Sequence, residues 1–509
     1  MDTSSTDHID LRRRVEESPL RDVLRRVGAA ADRIGVEAYA VGGLVRDLAL
    51  GRTTSDLDFV TVGAGTGIEL AREVSADFEV KPASVYPNFG TAAVRIPGRE
   101  GSRNGPRELL LEFVAARRES YRAVSRKPIV EDGTLEDDQR RRDFTINAMA
   151  IRLNAVDFGA HIDPFDGLKD LRRRLIRTPL DPAVTFEDDP LRMIRAARFA
   201  SQLDFRIDKQ TLAAIRGKAN RVRILSQERI TDEIEKIMCS DQPSRGFAIL
   251  EDTGILELIF PELVALKGVE AIDGRRHKDN FFHTLQVLDN LVEMTDDADC
   301  SETYWLRWAA LLHDIGKPAT KRYSPDTGWT FHSHEERGAR MIARLFRRLK
   351  LPTDHRMRYV RKLIRLHHRP VALVDEYVTD SAVRRLLFDA GEEIDDLMTL
   401  VRADITSKNP RRVRRYLKAF DTVEQKMREV EEKDRLRQFQ PPVDGNEIME
   451  VLGLPPGPVV GELKESIREA ILDGVIPNEH DAAFQYLMKI KDDVIESSSR
   501  NSSGPHEGK

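Results

Sequence analysis

The hydrophobic spacing of this chain changes once, and that change limits the folds open to it. Between residues 37 and 162, apolar residues come in short runs bounded by turn residues. Examples are Ala38-Tyr39-Ala40-Val41 before Gly42-Gly43 and Leu57-Asp58-Phe59-Val60 after Ser55-Asp56. Runs of this length and punctuation predict strands. Residues 92–96 and 109–114 predict two more, separated by an insert at 97–107 whose Gly, Pro, Ser and Arg mark an exposed loop. After Pro164 the apolar residues recur at helical spacing almost to the end. A strand-rich start and a helical remainder predict an α+β chain, with a mixed α/β head followed by mainly α segments.

At 509 residues the chain is long enough for roughly three or four domains. Breaks fall at 268–274 and at 438–445, where Gln438-Phe439-Gln440-Pro441-Pro442 precedes a new helical segment. The expected organisation is a head at 20–165, a helical neck and body at 166–270, a third domain at 271–437 and a C-terminal helical segment at 438–495. Residues 496–509 hold no large apolar side chain and are rich in Ser, Asn and Gly, so they are expected to be unstructured. With 40% hydrophobic and 33% charged residues and no apolar stretch near ~18 residues, a soluble protein with no membrane partner is expected. The polar start to Leu20 lacks an apolar leader core, which points to the cytoplasm. Cys239 and Cys300 are too few for a disulfide framework or a thiolate zinc site. The net charge of −5 does not announce a nucleic-acid binder, but net charge averages over faces. Arg140-Arg141-Arg142, Arg172-Arg173-Arg174, the stretch 340–369, and Arg411-Arg412 with Arg414-Arg415 can each track phosphates or form a solvated helix face.

Asp56 and Asp58 stand one residue apart in an expected strand, so both carboxylates project from one face. That geometry suits paired Mg²⁺ ions that activate a hydroxyl and stabilise a leaving pyrophosphate. Upstream, Val41-Gly42-Gly43-Leu44-Val45-Arg46-Asp47 ends a strand in two glycines and opens a helix, which lets backbone N–H groups approach phosphates. Glu112, in the expected strand 109–114, has two readings, a third acidic group near the metals and a strand-edge glutamate, of which the second is favoured. Gly-Gly-x-Val-Arg-Asp followed by Asp-Leu-Asp resembles the nucleotidyltransferase core of the DNA polymerase β superfamily.

Later segments narrow the resemblance. Arg141-Arg142-Asp143-Phe144-Thr145-Ile146-Asn147-Ala148, Asp163-Pro164-Phe165-Asp166-Gly167 through Arg177-Thr178, and Glu187-Asp188-Asp189-Pro190-Leu191-Arg192 are similar to class II tRNA nucleotidyltransferase motifs, in family order. Asp188 stands where that family usually has glutamate. The resemblance implies nucleotide contacts at Gly42, Gly43, Arg46, Arg142, Asp143, Asn147, Asp189, Arg192, Arg195 and Arg198, with ribose recognition at Asp143. It also implies that Gln227-Glu228-Arg229-Ile230 and Glu233 brace the selector helix. The chemistry of Asp189 and Arg192 fits such a selector. A carboxylate accepts from the exocyclic amine of C or A and a guanidinium donates to the neighbouring ring acceptor, whereas U and G present the reverse. The implied partners are tRNA, CTP and ATP, with no DNA. The loop from Ala115 to Glu136 resembles the flexible loop of CCA-adding enzymes and favours full CCA addition over poly(A) polymerase activity.

Eight of the 12 histidines lie between His277 and His368. His283, His313-Asp314 in Leu312-His313-Asp314-Ile315-Gly316-Lys317, His334, His367, His368 and Asp404 follow the order of HD phosphohydrolases. That resemblance implies a site for a divalent ion, a transition metal or Mg²⁺, that activates water against a phosphoester. A phosphohydrolase with a nucleotide- or RNA-sensing head is the competing reading, and intact Asp56 and Asp58 argue against it.

Overall fold

Alternation along the strands makes the head's core. The computed structural model describes residues 10–86, 90–98, 108–120, 129–272, 275–276, 279–374, 379–407, 409–434 and 442–502. Most of the expected insert (99–107), Tyr121 and Arg122 of the expected flexible loop, residues 438–441 and the last seven residues lie outside these. Helices α1 (Leu11–Glu17) and α2 (Arg21–Ile34) precede the strands and were not anticipated. The head strands are β1 (Ala38–Val41), β2 (Asp56–Thr61), β3 (Ser84–Tyr86), β4 (Thr91–Pro97), β5 (Glu108–Ala115), β6 (Arg117–Ser120), β7 (Ile129–Asp132), β8 (Ala150–Arg152) and β9 (His161–Ile162). Seven of them form one mixed sheet in the order β3-β4-β5-β2-β1-β8-β9, in which β2 and β5 run parallel and the other pairs antiparallel. β6 and β7 pair as a separate hairpin inside the segment expected to be a loop.

Leu57, Phe59, Leu111 and Phe113 are buried on one face of the sheet, with the Phe59 and Phe113 rings stacked at 5.0 Å. The period of two then sends Asp56, Asp58 and Glu112 to the other face. Four helices accompany the sheet: α3 (Gly43–Leu50), α4 (Thr66–Asp77), α5 (Leu135–Arg140) and α6 (Gly167–Arg172). Then come α7 (Pro182–Asp188), α8 (Leu191–Leu203), α9 (Lys209–Lys218), α10 (Gln227–Met238), α11 (Pro243–Asp252), α12 (Ile255–Ile259) and α13 (Pro261–Val264). α8 is the hub of this group. It buries Met193, Ile194, Ala196, Ala197 and Phe199, and packs on α7, α10 and α11.

The chain divides into two compact units, Met1–Pro261 and Glu262–Lys509. The second is built from α14 (Asn280–Met294), α15 (Cys300–Leu312), α16 (Lys317–Thr320), α17 (His334–Arg348), α18 (His355–Leu366), α19 (Arg369–Ala372), α20 (Asp380–Ala390), α21 (Ile394–Ala403) and α22 (Pro410–Asp434). It ends in α23 (Gly445–Leu452), α24 (Pro458–Leu472) and α25 (His480–Ser502). Asp279, Asp299 and Thr379 cap α14, α15 and α20 by accepting from their first-turn N–H groups. The last three helices have a core of their own, Val443, Ile448, Val460, Leu463, Ile467, Ile471, Ala483 and Leu487. α25 runs on to Ser502, so the tail expected to be unstructured from Glu496 begins as helix. Among the described residues, no helix is long and apolar enough to cross a membrane.

Gly28 shows how closely α2 approaches the sheet. A Cβ there sits 2.0 Å from the Leu153 carbonyl oxygen. Alanine gains about 1 kcal/mol of helix propensity over glycine, but overpacking against backbone costs about 1–3 kcal/mol. Gly28→Ala is therefore expected to lower the thermal midpoint by a few degrees, read by circular dichroism; a rise contradicts the close approach.

Candidate active site and metal centre

The β1-to-α3 turn and the β2 strand build the first site. Val41 pairs with Asp58, so the chain leaves β1 beside the carboxylates and turns at Gly42, whose φ of +70° is costly for any residue with a Cβ. A Cβ on Gly42 also meets Arg142 Nη1 at 2.9 Å and Asp58 Oδ2 at 3.2 Å. The parallel register sets Glu112 directly beside Asp58, which favours the third-acid reading of Glu112 over the strand-edge one. Burial, and then repulsion from Asp56, push the Asp58 carboxyl above its ordinary pKa, against the pull of Arg142. Burial and repulsion from Asp58 and Asp56 do the same to Glu112. Three carboxylates from two neighbouring strands that repel one another on one sheet face suit a divalent cation.

From this face an unbroken polar chain runs into the helical part. Arg46 donates to both oxygens of Asp47, each at 2.9 Å, and to Asn147 Oδ1 at 2.9 Å. Asn147 Nδ2 donates to Asp143 Oδ1 at 3.0 Å, and Arg195 Nε donates to Asp143 Oδ2 at 2.7 Å. Glu233 on α10 then lies 3.7 Å from Arg195 and 3.1 Å from Arg198. Asp143 is nearly buried, and Arg195 with these hydrogen bonds holds its carboxyl well below the usual range although burial opposes. Both its oxygens are occupied, one also accepting from Phe144 N at 2.8 Å. Asp143 thus orients Arg195 and Asn147. Arg198, expected among the nucleotide contacts, is buried against Glu233; burial and the nearby Arg195 push it down to about 10. It braces α8 from behind.

Arg142 is held by Asp138, which is fully buried and accepts its Nε at 2.9 Å while also pairing with Arg141. Sequence reasoning missed Asp138, although its i, i+4 spacing to Arg142 was visible. The Asp163 motif supports the Asn147 turn. Asp163 accepts from Gly167 N at 2.7 Å and Leu168 N at 2.9 Å, and a Cβ on Gly167 meets Thr145 O at 2.2 Å, so only glycine lets α6 sit against Thr145.

The selector positions lie at the start of α8 as expected, with one difference. Asp189 is extended, just before the helix, and Arg192 is in its first turn. They do not pair with each other. Asp189 accepts from Leu191 N at 3.1 Å and from Arg229 at 3.0 Å; Arg192 donates to Arg141 O at 2.5 Å and Thr185 O at 3.4 Å. The Arg192 contact ties the selector to the Arg141-Arg142-Asp143 segment.

In the second unit the histidines gather around Asp314. His313, His334 and His367 each place Nδ1 on the carbonyl three residues back, Ala310 at 2.8 Å, Phe331 at 2.9 Å and Ile364 at 2.7 Å. A ring that donates from Nδ1 presents an Nε2 lone pair. Nε2 of His313 is buried with no hydrogen-bond partner, and those of His334 and His367 face each other at 3.3 Å. Burial pushes His367 down to about 3. Inward-facing Nε2 atoms grouped with carboxylates fit a metal cation. Two ligand groups form, His283 with His313 and Asp404, and His334 with His367 and His368. Asp314 stands between them: Oδ1 is 3.3 Å from His334 Nε2, and Oδ2 is 3.3 Å from His313 Nε2 and 3.6 Å from His283 Nε2. Thr406, 2.8 Å from His283 Nδ1, and Lys317, 2.6 Å from Asp314, support the group and were not singled out in the sequence.

A strand-borne acid cluster beside a glycine turn and a helix start defines a metal-dependent nucleotidyltransferase, here joined to a histidine-rich metal domain. Comparison with known proteins agrees. Residues 38–177 match the poly A polymerase head domain, 204–266 the "probable RNA and SrmB- binding site of polymerase A", and 280–407 the HD domain. The chain is 35% identical to an A-adding tRNA nucleotidyltransferase of Deinococcus radiodurans, over 68% of this chain and 78% of that one. It is 36% identical to a multifunctional CCA protein of Nitrosococcus oceani, over 62% and 71%. The CCA-adding enzyme of Bacillus stearothermophilus, solved in complex with CTP, shares its fold: TM-score 0.61 and 23% identity, covering 96% of this chain and all of that one. The chain belongs to the tRNA nucleotidyltransferase family.

Two outcomes follow from the geometry. Glu233→Ala leaves buried Arg198 without its counter-charge, a loss of about 3–5 kcal/mol, and is expected to lower the thermal midpoint by about 10 °C; an unchanged midpoint contradicts the brace. In metal analysis of purified protein, His367→Ala is expected to reduce bound transition metal while leaving part of it, and Asp314→Ala to remove nearly all. Equal losses in both variants contradict a carboxylate shared by two ligand groups.

Proposed function

We propose that this chain adds C, C and A in turn to tRNA 3′ ends from CTP and ATP, without a nucleic-acid template, in the cytoplasm. The observation that carries the reading is the Asp143–Arg195 contact, because it couples the segment beside the acids to the helix that begins with Asp189 and Arg192. Asp56 and Asp58, with Glu112 beside them, would hold Mg²⁺. Such ions, when bound, lower the pKa of the attacking 3′-hydroxyl and offset charge on the departing pyrophosphate. The N–H groups at Gly42 and Gly43 cradle the triphosphate at the start of α3. Arg142, fixed by Asp138, adds positive charge beside Asp58. Asp189 accepts from the base amine in place of Arg229, and Arg192 donates to the adjacent ring acceptor, so U and G meet repulsion where C and A meet hydrogen bonds.

A second reading is addition of the terminal A alone, which the similarity to the A-adding enzyme of Deinococcus radiodurans favours. A tRNA lacking its last three nucleotides, incubated with labelled CTP and ATP, separates the two. CCA addition predicts three nucleotides and a stop. An A-adding enzyme extends only tRNA that already ends in CC, and a long A tract rejects both.

The HD site is proposed to hydrolyse a phosphomonoester or a 2′,3′-cyclic phosphate at a damaged tRNA end, with a divalent ion held by its histidines, Asp314 and Asp404. Asp56→Ala with Asp58→Ala is expected to abolish nucleotide addition, by on the order of 10³-fold or more, and to spare hydrolysis. His313→Ala should do the reverse. Addition that survives the double aspartate variant overturns the assigned centre.

A further inference from the structure

The arginine-rich stretch 340–369 is not used by either site described above. α17 and α18 form an antiparallel hairpin: Ile364 lies against Gly338, and Arg365 pairs with Glu336 at 2.5 Å, so the start of α17 meets the end of α18. Their inner faces bury Ile342, Leu345, Phe346, Val360, Leu363 and Ile364. Their outer faces carry exposed arginines at helical spacing, Arg337, Arg340, Arg344 and Arg347 on α17 and Arg358, Arg361 and Arg365 on α18. Residues 334–369 contain twelve Lys or Arg and three acids, in a chain whose net charge is −5. Two of those acids are taken, Glu336 by Arg365 and Asp354 by its neighbours His355 and Arg356. Among the described residues, no carboxylate pairs with Arg337, Arg340, Arg344, Arg358 or Arg361. These five guanidinium groups on two neighbouring helices repel one another, and a counter-charge from outside the chain relieves that repulsion.

The surface itself selects among anionic partners. No large hydrophobic side chain is exposed between residues 334 and 369. A membrane-lying helix needs an apolar wedge, and a protein interface needs aromatic or aliphatic anchors; this face offers charge alone, which suits a phosphate backbone. Its position is as telling. His334 opens α17, and His367 and His368 follow α18, so the arginine rows start at one of the two histidine groups, where His368 is exposed.

We propose that the outer face of α17 and α18 is an RNA-binding track, whose arginines hold successive phosphates and lead an RNA end toward His334, His367 and His368. The delivery half of this inference rests on the hydrolytic reading of the HD site; the binding half does not. The test uses the full chain carrying Arg340→Gln, Arg344→Gln and Arg361→Gln, and a fluorescently labelled RNA stem-loop titrated by anisotropy across a salt series. Each phosphate that is no longer neutralised lowers the slope of log affinity against log salt by about 0.7 to 0.9. The triple variant should therefore lose about two to three units of slope and at least tenfold in affinity at low salt. Its thermal midpoint and its rate of CMP incorporation at saturating tRNA should match the parent chain. The Arg→Lys triple variant should recover most of the slope, which separates lost charge from lost fold. An unchanged slope overturns the track, as does loss of binding to phosphatidylserine vesicles with RNA binding intact. Absence of hydrolysis on a chromogenic phosphodiester removes the delivery half alone, because the anisotropy reading is independent of it.

Discussion

The contact between Asp143 and Arg195 is the joint on which the first unit depends. Asp143 belongs to the turn that follows α5; Arg195 belongs to α8, the helix whose start carries the selector pair. Nearly buried and accepting from Arg195, Asn147 and Phe144, Asp143 ties the segment beside Asp56 and Asp58 to helix α8. Its partners are then fixed in turn, Asn147 by Arg46 and Arg195 by Glu233. A carboxylate in such surroundings stays ionised across the working pH range, so the frame does not loosen with ordinary changes in pH.

The second unit solves a different problem with similar economy. Imidazoles bind metal only if the correct nitrogen is deprotonated and pointed inward. Three of them achieve this by the same local device, a hydrogen bond from Nδ1 to the carbonyl three residues earlier, at the end or the start of a helix. Gly316 is part of the same construction. A Cβ there lies 2.0 Å from the His334 carbonyl oxygen, so a glycine after His313-Asp314-Ile315 is what lets the two histidine-bearing segments close on each other.

Much of this was legible in the sequence because it is local. The period-two pattern at Asp56, Leu57, Asp58 and Phe59 gave both the strand and the shared face of the two acids. The Gly-Gly turn, the start of α8 and the clustered histidines were readable for the same reason. What was not legible depends on pairing between distant segments. Glu112 was open between a strand-edge residue and a third acid, because only the parallel register of β2 and β5 makes it a neighbour of Asp58. Asp138 matters because burial turns an ordinary i, i+4 pair into the anchor that aims Arg142. Arg198 looked like Arg195 one turn away, yet α10 covers it and leaves Arg195 partly open. Helix α2 was legible too, since Leu24, Val27, Ala31 and Ile34 recur at helical spacing, although the strand pattern that follows is what drew the reading.

The most direct measurement is a structure of the crystallised full chain soaked with CTP and Mn²⁺, with the metal located by anomalous scattering. The account predicts metal density between Asp56 and Asp58 and, in the same molecule, the cytosine edge against Asp189 and Arg192. Metal bound elsewhere, or a cytosine seated away from the start of α8, contradicts it.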